Sequence, residues 1–199
     1  MSLRPDLAVI ARHVAPRTRV LDVGCGEGEL MAELQASRQV DARGLELDPV
    51  AVERCVARGL SAVQGNADRD LADYPDKAFD YAILSQTLQT ARRPDVLLDE
   101  LLRIGTSAFV SFPNFAYWRN RLALLWRGRM PVTRNLPVSW YETQDIHHLT
   151  IDDFRAHLAD RGIRMQQAWF LSGDKQTGGG AANMFAEHAV FLLRRNRHG

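Results

Sequence analysis

Residues 20–30 read VLDVGCGEGEL, an apolar run interrupted by Asp22 and followed by glycines at 24, 26 and 28. Gly24 and Gly26 allow backbone angles and a close ligand approach that a Cβ would block, and Gly28 opens the segment that follows. A loop of this kind between a buried strand and a helix is a ligand cradle, and its spacing restricts the ligand. A dinucleotide fingerprint, G-x-G-x-x-G, would place its third glycine at position 29, where a pyrophosphate meets the helix N-terminus. Position 29 is Glu, and Asp22 and Glu27 add further negative charge. Phosphate is the wrong ligand for this loop, and a cationic or neutral group is the right one.

S-adenosylmethionine has a sulfonium, an ammonium and a ribose but no phosphate. Twenty residues after Gly26, the stretch GLELD presents Glu46, whose carboxylate can accept from both ribose hydroxyls. In QGNAD (64–68), Asn66 or Asp68 could accept from the adenine amino group and the Ala67 N–H could donate to the ring.

Alternating strands and helices must position these groups. Leu7, Ile10, Ala11 and Val14 have helical spacing after Pro5, and Ala15-Pro16 closes that helix. The pattern predicts strands over 19–23, 40–46, 61–64, 79–85 and 108–112, and helices over 29–37, 49–58 and 94–104. Such alternation implies parallel pairing in an open α/β sheet. A Thr150-x-x-Asp153 capping box starts a helix over 152–161, and 165–171 with 189–193 form a closing antiparallel pair. The expected architecture is a single Rossmann-like domain over 1–199, with a mostly parallel seven-stranded sheet, an antiparallel closing strand and helices on both faces. Two segments break the pattern. Residues 113–149 form an aromatic and basic insertion after the fifth strand, and 172–183, with three consecutive glycines, reads as a flexible loop tip.

Composition excludes several classes. The chain has 199 residues, 46% hydrophobic, which suits one globular domain with a sizeable core. Its net charge of +1 provides no global field toward nucleic acid or an anionic membrane. The first residues, charged at Arg4, Asp6 and Arg12, do not read as a signal peptide or anchor, and Cys25 and Cys55 lack CxxC spacing. A cytoplasmic protein with reduced thiols is expected.

VLDVGCGEG, the acid in GLELD, the QGNAD turn and FDYAILS resemble the successive motifs of the class I S-adenosylmethionine-dependent methyltransferases. That resemblance implies that Asp22, Gly24, Cys25 and Gly26 contact the methionyl side of the cofactor. It likewise places Glu46 at the ribose, Asn66 and Ala67 at adenine, and Ser85 and Gln86 at the rim, with Leu47 among the cofactor-binding residues. Position 66 carries Asn where that family more often has Asp. Over almost the whole chain, RPDL, VARGL, LSQTLQ, RRPDVLLDELLRIG, SFPNF…WRGRMPVT and WYETQDIHHLTIDDF are more particular, and resemble the methionine-biosynthesis MetW family. That resemblance implies a protein that binds S-adenosylmethionine or S-adenosylhomocysteine and supports or regulates the homoserine O-acetyltransferase step. The alternative is an active methyltransferase on a small-molecule or protein acceptor.

No catalytic residue stands out. The fourth strand leads into SQTLQT without a His or carboxylate, and SFPNF lacks the Asp/Asn-Pro-Pro-aromatic run of amino-group methylases. Residues 115–141 contain Arg119, Arg121, Arg127, Arg129 and Arg134, three tryptophans and no acid. Trp118, Leu122, Leu125 and Trp126 share a helical face that Gly128 would end. Trp118, Arg119, Arg121 and Trp126 are candidates for docking a partner protein, since Trp and Arg are the residues of interface hot spots; lid or core packing and RNA binding are the other readings. Cys25 is expected to be a small filler rather than a thiolate. His147 and His148, near Asp145, are expected to hold no metal, because neighbours on a strand point to opposite faces. The terminal RRNRHG is expected to be a solvated tail.

Overall fold

A computed structural model describes residues 3–130, 132–133, 139, 142–143 and 147–195. Arg134, Trp140, Tyr141 and Asp145, and the last four residues of the terminal basic stretch, lie outside these. Eight strands form one sheet: β1 (Arg19–Val23), β2 (Asp41–Glu46), β3 (Ser61–Gln64), β4 (Phe79–Ser85), β5 (Gly105–Pro113), β6 (Ile163–Ser172), β7 (Lys175–Thr177) and β8 (His188–Arg195). The helices are α1 (Pro5–His13), α2 (Glu29–Arg38), α3 (Pro49–Ala57), α4 (Ala67–Asp70), α5 (Pro94–Ile104), α6 (Trp118–Arg127), α7 (Ile151–Asp160) and α8 (Ala182–Phe185).

The strand order is β3-β2-β1-β4-β5-β8-β6-β7. The pairs from β3 to β5 are parallel, and β8 runs antiparallel to both β5 and β6. After β1 the chain moves outward to β2 and β3, then returns to the other side of β1 as β4. The order therefore reverses beside β1, and ligands of open α/β sheets bind at the strand ends of that switch point.

Alternation along each strand builds two cores. Leu21, Val23, Leu84, Val110 and Phe112 face one side, with α5 and α7, while Val20, Ile83 and Phe109 face the other, with α1, α2 and α3. Burial on both faces explains the near-continuous apolar runs of β1, β4 and β5. Phe109, Phe112 and Phe191 have no exposed surface, and burying each stabilises the fold by about 2–3 kcal/mol. The Thr150–Asp153 capping box closes the start of α7, satisfying amides that would otherwise lack partners.

The sheet has one strand more than the expected seven. Residues 172–183 are not a bare loop tip: β7 pairs with β6, Ser172 opposite Lys175, and a 3₁₀ turn (Gly179–Ala181) leads into α8. Gly173, at φ +57°, makes this two-residue hairpin possible, and its N–H donates to the Glu187 carboxylate (3.0 Å). Among the described residues, no helix is long and apolar enough to cross a membrane, and no cluster of three His, Cys, Asp or Glu could hold a metal.

Candidate functional site

The glycine loop joins the end of β1 to α2, at the topological switch point. Gly24, Gly26 and Gly28 all have positive φ (72°, 54° and 76°). At Gly24 an added Cβ would lie 2.4 Å from Thr87 Oγ1, so the turn after β4 presses directly on the loop. The Gly24 N–H donates to the Leu45 carbonyl (2.8 Å), and the Gly26 N–H donates to Glu46 Oε2 (2.7 Å). The other Glu46 oxygen accepts from Leu47 N–H (2.8 Å) and Asp48 N–H (3.0 Å). Glu46 thus ties the tip of β2 to the glycine loop, and a carboxylate with roughly four lone-pair sites retains capacity for a hydroxyl donor.

A cleft of about 370 Å³ opens over this loop, lined by Asp22, Gly24, Cys25, Gly26 and Ser85 among the expected residues. Glu27 and Glu29 also line it, and Arg4 is the cation among its lining residues. Glu46, Leu47, Asn66, Ala67 and Gln86 lie outside that lining. Glu46 faces Gln64 in the β2–β3 register, so Gly65, Asn66 and Ala67 continue directly beyond it. Leu47 is 63% exposed at the end of β2, an apolar side chain left in solvent beside the acid. Asn66 caps α4 by accepting from Asp68 N–H (2.9 Å), and the Asp68 carboxylate accepts from Arg92 N–H (3.2 Å). Both expected adenine acceptors are therefore engaged with the backbone, and the Asn66 amide nitrogen and Ala67 N–H are the groups left to address a base.

Asp22 lies beneath the cleft, 3% exposed, and no described residue donates a hydrogen bond to it. Burial pushes its carboxyl up to about 7, Arg4 opposes the rise and nearby Glu46 adds to it. A carboxylate in this position is suited to an incoming ammonium. Burial, and then Asp22, raise the Cys25 thiol far above its ordinary value, which removes thiolate chemistry there and agrees with a filler role. Cys25 also packs close to Gly44, where an added Cβ would come within 2.5 Å of its sulfur.

Sequence reasoning missed the acid-and-hydroxyl cluster beside the cleft. Asp6 on α1, 2% exposed, accepts from Ser85 (2.9 Å), Ser111 (2.9 Å) and Gln86 Nε2 (3.3 Å), and pairs with Arg4 (3.2 Å). Arg4 also donates to Ser85 Oγ (2.7 Å). Burial pushes the Asp6 carboxyl up, but Arg4, Ser111 and Ser85 together outweigh it and hold it below its ordinary value. Gln86 sits at φ +53°, an unusual angle for a residue with a Cβ, and its N–H donates to the Ser111 carbonyl (2.9 Å). Strained residues of this kind gather at ligand sites. The signal for Arg4 and Asp6 was present in RPDL, as an acid in the first turn of an otherwise apolar helix face.

α6 starts at Trp118 and ends at Gly128, whose φ of +59° makes the stop expected from sequence. Its four-residue apolar face divides: Trp118 and Leu122 are half-buried, but Leu125 and Trp126 are 76% and 77% exposed. Arg119 stacks over the Trp118 ring at 5.3 Å, and Arg121 Nε donates to the Ala116 carbonyl (2.6 Å). Within α6 the buried residue is Asn120, held to the Phe115 carbonyl (3.1 Å). His147 and His148 are not on a strand, which corrects the expectation of opposite faces; both lie before α7 and line one cavity.

The fold is that of the class I methyltransferases. A structure described as a SAM dependent methyltransferase from Archaeoglobus fulgidus is similar at TM-score 0.70 and 15% identity, covering 95% of this chain and 91% of that one. The cyclase SpnF is similar at TM-score 0.67 and 16% identity, covering 95% and 80%. The bifunctional methionine biosynthesis protein MetXA/MetW of Rhodopirellula baltica is 28% identical over 207 residues, 98% of this chain and 33% of that protein. The chain spans about a third of the length of the curated relatives it matches. The sequence profile described as Methionine biosynthesis protein MetW matches residues 4–193, and the chain belongs to that family.

Proposed function

We propose that the cleft binds S-adenosylmethionine or S-adenosylhomocysteine. The observation that carries this is the arrangement of charge among the described residues: a buried Asp22 without a donor, acids at Glu27 and Glu29, and Arg4 as the single lining cation. An amino-acid moiety fits that pattern, with its ammonium toward Asp22 and its carboxylate toward Arg4, while Glu46 and Leu47 receive the ribose and Asn66 and Ala67 the adenine. A pyrophosphate would meet three carboxylates. Calorimetry tests this directly. Both ligands bind, NAD does not, and Arg4→Ala narrows the preference for S-adenosylhomocysteine over 5′-methylthioadenosine, which lacks the amino-acid moiety, by about tenfold, the value of one charged hydrogen bond. Binding of NAD with no heat from either sulfur ligand overturns the reading.

In methionine biosynthesis, the chain acts as the ligand-binding companion of a homoserine O-acetyltransferase. The relative that carries both names in one polypeptide supports this, because fusion is a route to permanent association of two parts. The exposed end of α6, with Leu125 and Trp126 uncovered, is the docking face, and Arg119 over Trp118 lies at the other end of the helix. A ligand derived from the pathway's product then informs an earlier step, provided it favours one state of the complex. Co-expression with the acyltransferase followed by size-exclusion chromatography gives co-elution that Trp126→Ala weakens; separate elution with and without ligand sinks the proposal.

Methyl transfer to a small-molecule or protein acceptor is the second reading, favoured by the fold. The same fold in a protein named as a cyclase means that architecture alone does not carry it. Label transfer from S-adenosylmethionine that disappears in Glu46→Ala would support it.

A further inference from the structure

A second cavity, of about 560 Å³, lies between the start of α5 and the start of α7. Among the described residues it shares no lining residue with the glycine-loop cleft. We propose that it is a separate ligand site, for a small molecule with a carboxylate or phosphate monoester on an apolar body.

Sorting its polar groups by what they already hold identifies the ligand chemistry. Two acids line the cavity, but both are engaged. Asp95 accepts from Arg93 Nη2 (2.9 Å) and Nε (3.0 Å) and from Arg161 (3.2 Å), and Asp153 closes the capping box with Thr150. Arg93 is neutralised by the same pairing. Arg92 is different: its main-chain N–H reaches Asp68, but its guanidinium has no acceptor among the described residues. Three imidazoles, His147, His148 and His157, line the cavity with it. The uncommitted groups are thus one permanent cation and three rings able to donate; Asp95 cancels against Arg93 and Arg161, and Asp153 is turned to Thr150 at the start of α7. The start of α5 adds the positive end of an eleven-residue helix with no side-chain cap.

One unpaired atom on the wall indicates that a partner is missing. His147 Nε2 is buried with no hydrogen-bond partner. The His147 main-chain N–H donates to the Gln89 carbonyl (3.0 Å), which fixes the residue at the wall. Native proteins rarely leave such atoms without a ligand or water. The rest of the wall is apolar, with Leu88, Leu98, Leu149 and Phe154. A cavity of this volume, mostly apolar with a few convergent donors, is the usual form of a small-molecule site.

Calorimetry and histidine NMR on the full chain test this with four probes sharing one alkyl chain: octanoate, octyl phosphate, octylamine and octanol. At least one anion binds saturably, the amine and alcohol do not, and the ring signals of His147, His148 and His157 shift. Which anion binds tighter identifies carboxylate or phosphate as the natural head group. Arg92→Glu, at an exposed position that leaves folding intact, and His157→Gln each weaken binding by about tenfold. The proposal is overturned if no probe saturates, if octanol binds as tightly as the anions, if both variants leave affinity unchanged, or if S-adenosylhomocysteine displaces the anion.

Discussion

Asp6 and Asp22 are both aspartates, both almost wholly buried, and they flank the same cleft. Their surroundings are opposite. Asp6 is surrounded by donors from two strands and from Arg4, and its carboxyl is held below its ordinary value. Asp22 has no donor among the described residues, and its carboxyl is pushed up to about 7. A buried acid with its hydrogen bonds already made stabilises the scaffold. One left without them costs stability in the free protein, and recovers it only when something cationic arrives.

Replacing Asp6 should produce the largest effect. Asp6→Asn is expected to destabilise the fold by roughly 3 kcal/mol, at the low end for a broken buried pair because Arg4 stays half in solvent. Urea denaturation measures it. The native contribution is present above the ordinary carboxyl value and is lost as pH falls below it, because the unfolded chain takes up the proton first.

Asp22→Asn is expected to act in the opposite direction. The folded protein keeps a proton that the unfolded chain releases, so the native acid erodes stability as pH rises from 3.8 to about 7. The variant should gain about 1–2 kcal/mol at neutral pH, a fraction of the ~4 kcal/mol that three pH units represent, because the amide is still buried without a partner. It should also lose this pH slope and bind S-adenosylhomocysteine about tenfold more weakly. A stability loss in both variants would end the contrast.

Cys25→Ser sharpens it at the small end. The thiol fills space beside Gly44 and holds its proton, so the change should cost about 0.5 kcal/mol or less and lower ligand affinity by less than Asp22→Asn does. In the native protein, alkylation of Cys25 should be at least about tenfold slower than that of free cysteine.

This contrast also marks what could be read in advance. Asp22, the glycines and Glu46 sit within one strand–loop–helix–strand unit, where spacing carries the geometry. The seat of Asp6 depends on Ser85 and Ser111, 79 and 105 residues away, and no local pattern encodes those approaches. β7 escaped for a different reason: three residues beside a glycine run carry no periodicity, and their pairing is a product of the Gly173 turn. The apolar stripe of α6 was legible, but how much of it the rest of the chain would cover was not, since periodicity reports a face and not its neighbour.

The position of β8 has a kinetic corollary. β8 separates β5 from β6, so β6 and β7 reach the sheet only through a strand that follows both of them in sequence. A nascent polypeptide halted before His188 can assemble its five parallel strands yet holds β6 and β7 as a detached ribbon with a bare edge. The edge of β5 is equally unprotected. Until synthesis passes that point, the same chain exposes two adhesive borders, and its most aggregation-prone moment falls just before β8 emerges.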